Sequence, residues 1–127
     1  MTTQGSCTIV TLGGYIDLST RNQLQGVLRE ASNAASHLIV DMSRLGFMDS
    51  TGLNVLVDTH KRLDARGGTL ALAAPQPIVA KVLSISGLDR VLRVHTSVAE
   101  AVAAEAAAAE PEEEEEEEEE PAPAAET

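Results

Sequence analysis

At 127 residues the chain has the length of one domain, and residues 110–127 carry eleven of its twenty Asp and Glu, so the net charge of −11 belongs almost wholly to this tail. Residues 1–109 balance nine acids against nine Lys or Arg and hold one Phe, one Tyr and no Trp, which excludes the basic stripe and stacking aromatics of nucleic-acid binding. Cys7 alone and the scattered His37, His60 and His95 offer neither a disulfide framework nor metal-ligand spacing, and no apolar run reaches the roughly eighteen residues of a membrane span. Without a basic-then-apolar leader as well, a soluble cytoplasmic protein that binds neither nucleic acid nor membrane is expected.

Ser6 to Leu12 favours a strand, Gly13-Gly14 reads as a turn, and Tyr15-Ile16-Asp17 as a short second strand. Thr20 with Gln23 forms a capping-box pattern that opens a helix with Leu24, Val27, Leu28 and Ala31 on its apolar face. His37 to Met42 is a short apolar run suited to a strand covered on both faces. Leu53, Leu56, Val57 and Leu63 mark a second helix that stops at Arg66-Gly67-Gly68, and Thr69 to Ala74 follows as a strand.

Pro75-Gln76-Pro77 opens a third helix with proline at a permitted first-turn position and Ile78, Val79, Val82 and Leu83 as its inward stripe. Gly87 suits a left-handed cap, with Leu88 folding back on the helix. Arg90 to His95 is the last predicted strand, and Ser97 with Glu100 opens an Ala-rich helix that Pro111 should close. Strands followed by alternating helix and strand indicate an α/β layer fold with some parallel pairing. His60 is expected to be a half-buried structural residue, and His37 and His95 to lie at strand ends or on the surface. Residues 1–109 are thus the folded domain; in residues 110–127 the nine consecutive glutamates, Glu112 to Glu120, repel one another and should form a disordered acidic tail, either solubilising or a docking arm for a basic partner.

The start of the second helix differs from its siblings. Asp49 or Ser50 can cap it, but Leu53 cannot complete a capping box with Ser50, and Gly52 in the first turn costs about 0.5–1 kcal/mol relative to alanine. A glycine there would leave the helix start open to close approach by another molecule. The free N–H groups and partial positive charge of a helix N-terminus favour a phosphoryl group on a neighbouring hydroxyl, and Asp49 could orient that hydroxyl or touch a partner.

The stretch Leu38 to Val57, "LIVDMSRLGFMDSTGLNVLV", resembles the signature of the STAS family of sulfate transporters and anti-sigma factor antagonists. "GGYIDLST", "GGTLALAAPQPIVAKVLSISGLDRVLRV" and "SVAEAV" extend the similarity over about residues 5 to 105. The resemblance implies a STAS-type α/β fold, with a mixed central sheet of four to five strands and about four helices. It further implies a bacterial anti-sigma factor antagonist in which Ser50 is phosphorylated by its partner, an anti-sigma factor that is a serine kinase with bound nucleotide.

On that pattern the unphosphorylated form binds the kinase and frees the sigma factor, and a PP2C-type phosphatase reverses the modification. Asp17, Asp49, Ser50, Thr51, Gly52 and Leu53 are then the candidate partner-binding residues, with Thr51 the nearest competing phosphate acceptor and no cofactor required. The family commonly has Gly-Glu-Leu/Ile-Asp where this chain has Gly14-Tyr15-Ile16-Asp17. The alternative within the family is an unphosphorylated structural or regulatory subunit of a stress-signalling or lipid-transport assembly. An enzyme is not expected. There is no G-x-S-x-G elbow and no Walker loop, and Asp49-Ser50-Thr51-Gly52 has one residue too many for the Asp-Thr/Ser-Gly of aspartic proteases.

Overall fold

The computed structural model describes residues 1–109; the acidic tail and the expected helix stop at Pro111 lie outside them. Five strands form one sheet in the order β1 (Thr2–Gln4), β2 (Cys7–Ile16), β3 (His37–Met48), β4 (Thr69–Ala73) and β5 (Arg93–His95). Strand β1 is antiparallel to β2, and every later neighbour pair is parallel, so the sheet is mixed. Helices α1 (Arg21–Ala34), α2 (Ser50–Asp64) and α3 (Pro77–Ser86) make the three crossovers, and α4 (Val98–Ala109) follows β5.

Each crossover steps one strand in the same direction. Because such connections are right-handed, α1, α2 and α3 all fall on one face of the sheet. There Leu24, Leu28, Val55, Leu56, Leu63, Val79 and Leu83 bury the strand residues Val10, Leu12, Leu38, Val40, Leu70 and Leu72 in the main core. On the opposite face, α4 sets Ala101 against Cys7, Ile9, Ile39, Ala71 and Ala73 in a second, smaller core.

Gly13-Gly14 is not a turn between two strands, because both residues stay paired with β3 inside a continuous β2. The irregularity lies in β3. Thr11 pairs with Asp41 but Gly13 with Arg44, and Gly14 pairs with Leu45 but Tyr15 with Phe47. Each step inserts one extra residue into β3, a bulge that moves the following side chains to the other face. Buried Met42, Leu45 and Met48 are therefore three apart, which is why strand alternation stops at Met42 in the sequence although the strand runs to Met48.

Other local expectations are revised by the same detail. The Thr20–Gln23 box does not form; Thr20 Oγ1 instead accepts from the Asp17 N–H at 3.0 Å and closes a 3-10 turn, Leu18–Thr20, ahead of α1. Val27 and Ile78 are 40% and 51% exposed rather than inward. Gly87 caps α3 with φ +83°, and Leu88 is buried as expected, but the next residues form a 3-10 turn that delays β5 to Arg93. At α4 the Glu100 N–H donates to Ser97 Oγ, while the Glu100 carboxylate accepts from the N–H and hydroxyl of Thr96 rather than from Ser97.

Helix α4 is tied to the sheet by Glu105, which is 4% exposed. Arg93 donates to it through Nε and Nη2 at 2.7 and 2.6 Å, and His95 Nε2 lies 3.1 Å from it. Burial pushes the Glu105 carboxyl up, but the hydrogen bonds and charges of Arg93 and His95 outweigh it and hold the group below its ordinary 4.5. A depressed carboxylate stabilises the fold above the unfolded value and loses that contribution as pH falls through the folded one. Glu105→Gln is thus expected to cost about 1–2 kcal/mol at pH 7, since a bond to a charged group is lost while Arg93 stays solvated. Urea unfolding at several pH values should show this gap narrowing below pH 4.5; a gap independent of pH would contradict it.

Candidate functional site

Strands β2 and β3 run on past β4 and β5 and end together, at Ile16 and Met48, just before α2 begins. The Asp49 N–H donates to Ile16 O at 3.2 Å, which joins the end of β2 to the start of α2 and brings the Asp17 turn beside Ser50. Asp49 is extended (φ −106°, ψ −167°), the geometry of an N-cap, and its Oδ1 accepts from the Thr51 N–H at 2.8 Å. Its carbonyl accepts from Gly52 and Leu53 at 3.1 and 3.3 Å. Asp49 therefore satisfies three consecutive N–H groups, and the helix start is better capped than the missing box suggests. Asp49→Ala should lower stability by about 1 kcal/mol, read as a shifted urea midpoint with unchanged slope.

Ser50 occupies the first position of α2 and is exposed, so its hydroxyl is open to solvent. Thr51 is half-buried one residue further on, and half-buried Leu53 packs on the main core. Asp17, also half-buried, caps the turn that follows β2, with Oδ1 accepting from the Ser19 N–H at 2.9 Å and the Ser19 hydroxyl at 2.6 Å. The Ser19 hydroxyl bond in particular holds the Asp17 carboxyl below its usual range, so it is ionised at neutral pH. One carboxylate thus caps the turn beside Ser50, and another caps the helix that Ser50 begins.

Gly52 requires a correction. It is buried and faces inward, where a Cβ would lie 2.4 Å from Met48 Cγ and 2.8 Å from Ile16 Cγ2. The missing side chain makes room for the ends of β2 and β3 under the helix and does not open the site to another molecule. Of the six candidate residues, Asp17, Asp49, Ser50 and Thr51 gather at the surface, while Gly52 and Leu53 support them from beneath.

Three large apolar side chains at this end escaped the sequence reading: Tyr15, Leu18 and Phe47, 68%, 75% and 38% exposed. The available signal was rarity, for Tyr15 and Phe47 are the chain's one Tyr and one Phe. His37 opens β3 with Nδ1 2.9 Å from Thr69 Oγ1, and His95 closes β5; His60 is half-buried on α2. Among the described residues no cluster of His, Cys, Asp and Glu fits a metal ion, and no helix is long and apolar enough to cross a membrane.

The STAS domain family model matches residues 1–101. The anti-sigma F factor antagonist of Paenibacillus polymyxa is 29% identical over 96 residues, which cover 74% of this chain and 82% of that protein. The structure of the anti-sigma factor antagonist SpoIIAA in its unphosphorylated form superposes with a TM-score of 0.68 at 27% identity, covering 80% of this chain and 90% of that one. The phosphorylated form of the Bacillus cell fate determinant SpoIIAA gives a TM-score of 0.62 at 26% identity, covering 80% and 93%. With the family model spanning residues 1–101 and the fold shared with SpoIIAA, the chain belongs to the STAS domain family.

Proposed function

We propose that this chain is an anti-sigma factor antagonist acting in the cytoplasm and switched by phosphorylation of Ser50. Its unphosphorylated form binds an anti-sigma factor serine kinase with bound nucleotide and so releases the sigma factor. In the transfer the Ser50 oxygen forms a bond to the γ-phosphorus of ATP, ADP leaves, and the hydroxyl proton passes to a base on the kinase. Hydrolysis by a PP2C-type phosphatase restores the binding form. The chain itself catalyses nothing in this scheme.

The observation that carries the reading is Ser50, exposed directly after the Asp49 cap. Its relatives support it: the Paenibacillus protein is an anti-sigma F factor antagonist, and SpoIIAA has been seen with and without phosphate in one fold that this chain shares. A phosphoryl group on Ser50 would meet the positive end of α2 and the Asp49 carboxylate together, an attraction and a repulsion that partly cancel. To test it, the chain is incubated with the anti-sigma serine kinases of its own cell and ATP, and its peptides are mapped by mass spectrometry. Phosphate on Ser50, absent from Ser50→Ala, is expected; phosphate on Thr51, or equal labelling of Ser50→Ala, would overturn the assignment.

A further inference from the structure

Beyond Ile9, β2 has no further pairing with β1, and beyond Asp41, β3 has none with β4. The two strands run on as a ribbon, Gly13–Ile16 against Arg44–Met48, that ends at Asp49 and Ser50. Ile16 and Met48 turn to the helices and are buried. Their neighbours Tyr15 and Phe47 consequently project from the opposite face, and they are direct cross-strand partners. A Cβ on Gly46 would lie 3.8 Å from Tyr15 Cε1, so the Tyr15 ring lies across that glycine. Helix α4, which covers this face of the sheet further along, rests on Cys7, Ile9, Ile39, Ala71 and Ala73 and leaves the pair bare.

The chain's two aromatic side chains thus sit side by side on a ribbon outside the main core, Tyr15 largely exposed and Phe47 partly so. We infer that Tyr15 and Phe47 are the apolar anchor by which the anti-sigma factor holds this chain while Ser50 lies in its active site. This rests on the function proposed above.

The reach of the interface carries the argument. A stable protein interface covers about 800 Å² of each partner, roughly a disc of 16 Å radius. Phe47 is three residues from Ser50, so its Cα is within about 11 Å, and Tyr15 adds about 5 Å across the ribbon. A partner seated over Ser50 therefore also covers the aromatic pair. Exposed, rigid aromatic side chains are where binding energy concentrates, because they bury much area on association and lose little conformational freedom.

The test uses native chain, Tyr15→Ser, Tyr15→Phe and Ser50→Asp, each titrated calorimetrically with the purified anti-sigma serine kinase that retains the unphosphorylated chain in ADP. Thermal melts check that all four fold alike. Tyr15→Ser is expected to bind at least tenfold more weakly than native, and Tyr15→Phe within about threefold, since the ring carries the contact. Tyr15→Ser binding within twofold of native, while Ser50→Asp binds poorly, would overturn the anchor and leave the switch standing. Ser50→Asp binding like native, or no kinase retaining the native chain, would overturn the underlying reading and the anchor with it. A native dimer that Tyr15→Ser dissolves would give the patch to a second copy and likewise overturn the inference.

Discussion

Ser50→Asp is expected to bind the anti-sigma factor at least tenfold more weakly than Ser50→Ala, with both variants melting within a few degrees of the native chain. The fold tolerates either change because Ser50 is exposed and its side chain supports no buried group. A carboxylate at the first helical position also meets the positive end of α2, worth about 0.3–1 kcal/mol at an exposed site. In the complex the balance reverses. A charge buried against the partner without matched donors costs about 2–5 kcal/mol, and about 1.4 kcal/mol is tenfold in affinity. Phosphate, at about −1.5 to −2 charges, should act more strongly than aspartate. Calorimetric titration in ADP measures both variants; equal affinities would mean that charge at Ser50 does not control docking.

Gly52→Ala is expected to lower the melting temperature by about 5–10 °C while leaving the Ser50 surface intact. Alanine gains about 0.5–1 kcal/mol of helix propensity over glycine. Forcing a methyl against Met48 and Ile16, whose nearest atoms would be 2.4 and 2.8 Å away, costs about 1–3 kcal/mol and outweighs that gain. In a Met48→Ala background the penalty of Gly52→Ala should shrink, because the colliding side chain is gone and the two positions are coupled. A Gly52→Ala chain as stable as native but weak in binding would restore the view of Gly52 as an open approach.

How much could be read in advance depended on whether the cause was local. The caps at Asp49 and Gly87 are set by residues within a few positions, and they were legible. The five strands and four helices were legible wherever apolar spacing stayed regular, and became obscure where it did not. The two bulges of β3 hid its last six residues by spacing Met42, Leu45 and Met48 three apart, and β1 is a short, exposed strand of Thr, Thr and Gln with no apolar signal. At the site the same division holds. Ser50 could be singled out from its immediate neighbours and from family resemblance. The role of Gly52 depends on where Ile16 and Met48 meet across β2 and β3, and the Tyr15–Phe47 pair depends on that same register.

The odd feature of this helix start therefore has two separate explanations. Its glycine is a packing device, and its cap is well made by Asp49, so neither is a weakness that function must excuse. On the proposed reading, what remains for function is the exposed Ser50 hydroxyl, the first residue after the Asp49 cap.

The most direct test compares the chain phosphorylated on Ser50 with the unphosphorylated chain, titrating both with the anti-sigma serine kinase in ADP and recording amide spectra of each alone. Affinity should fall at least tenfold on phosphorylation, with amide shifts confined to residues around Ser50 and the Asp17 turn. Unchanged affinity, or amide shifts spread through the whole sheet, would contradict a switch that works by blocked docking on an unaltered fold.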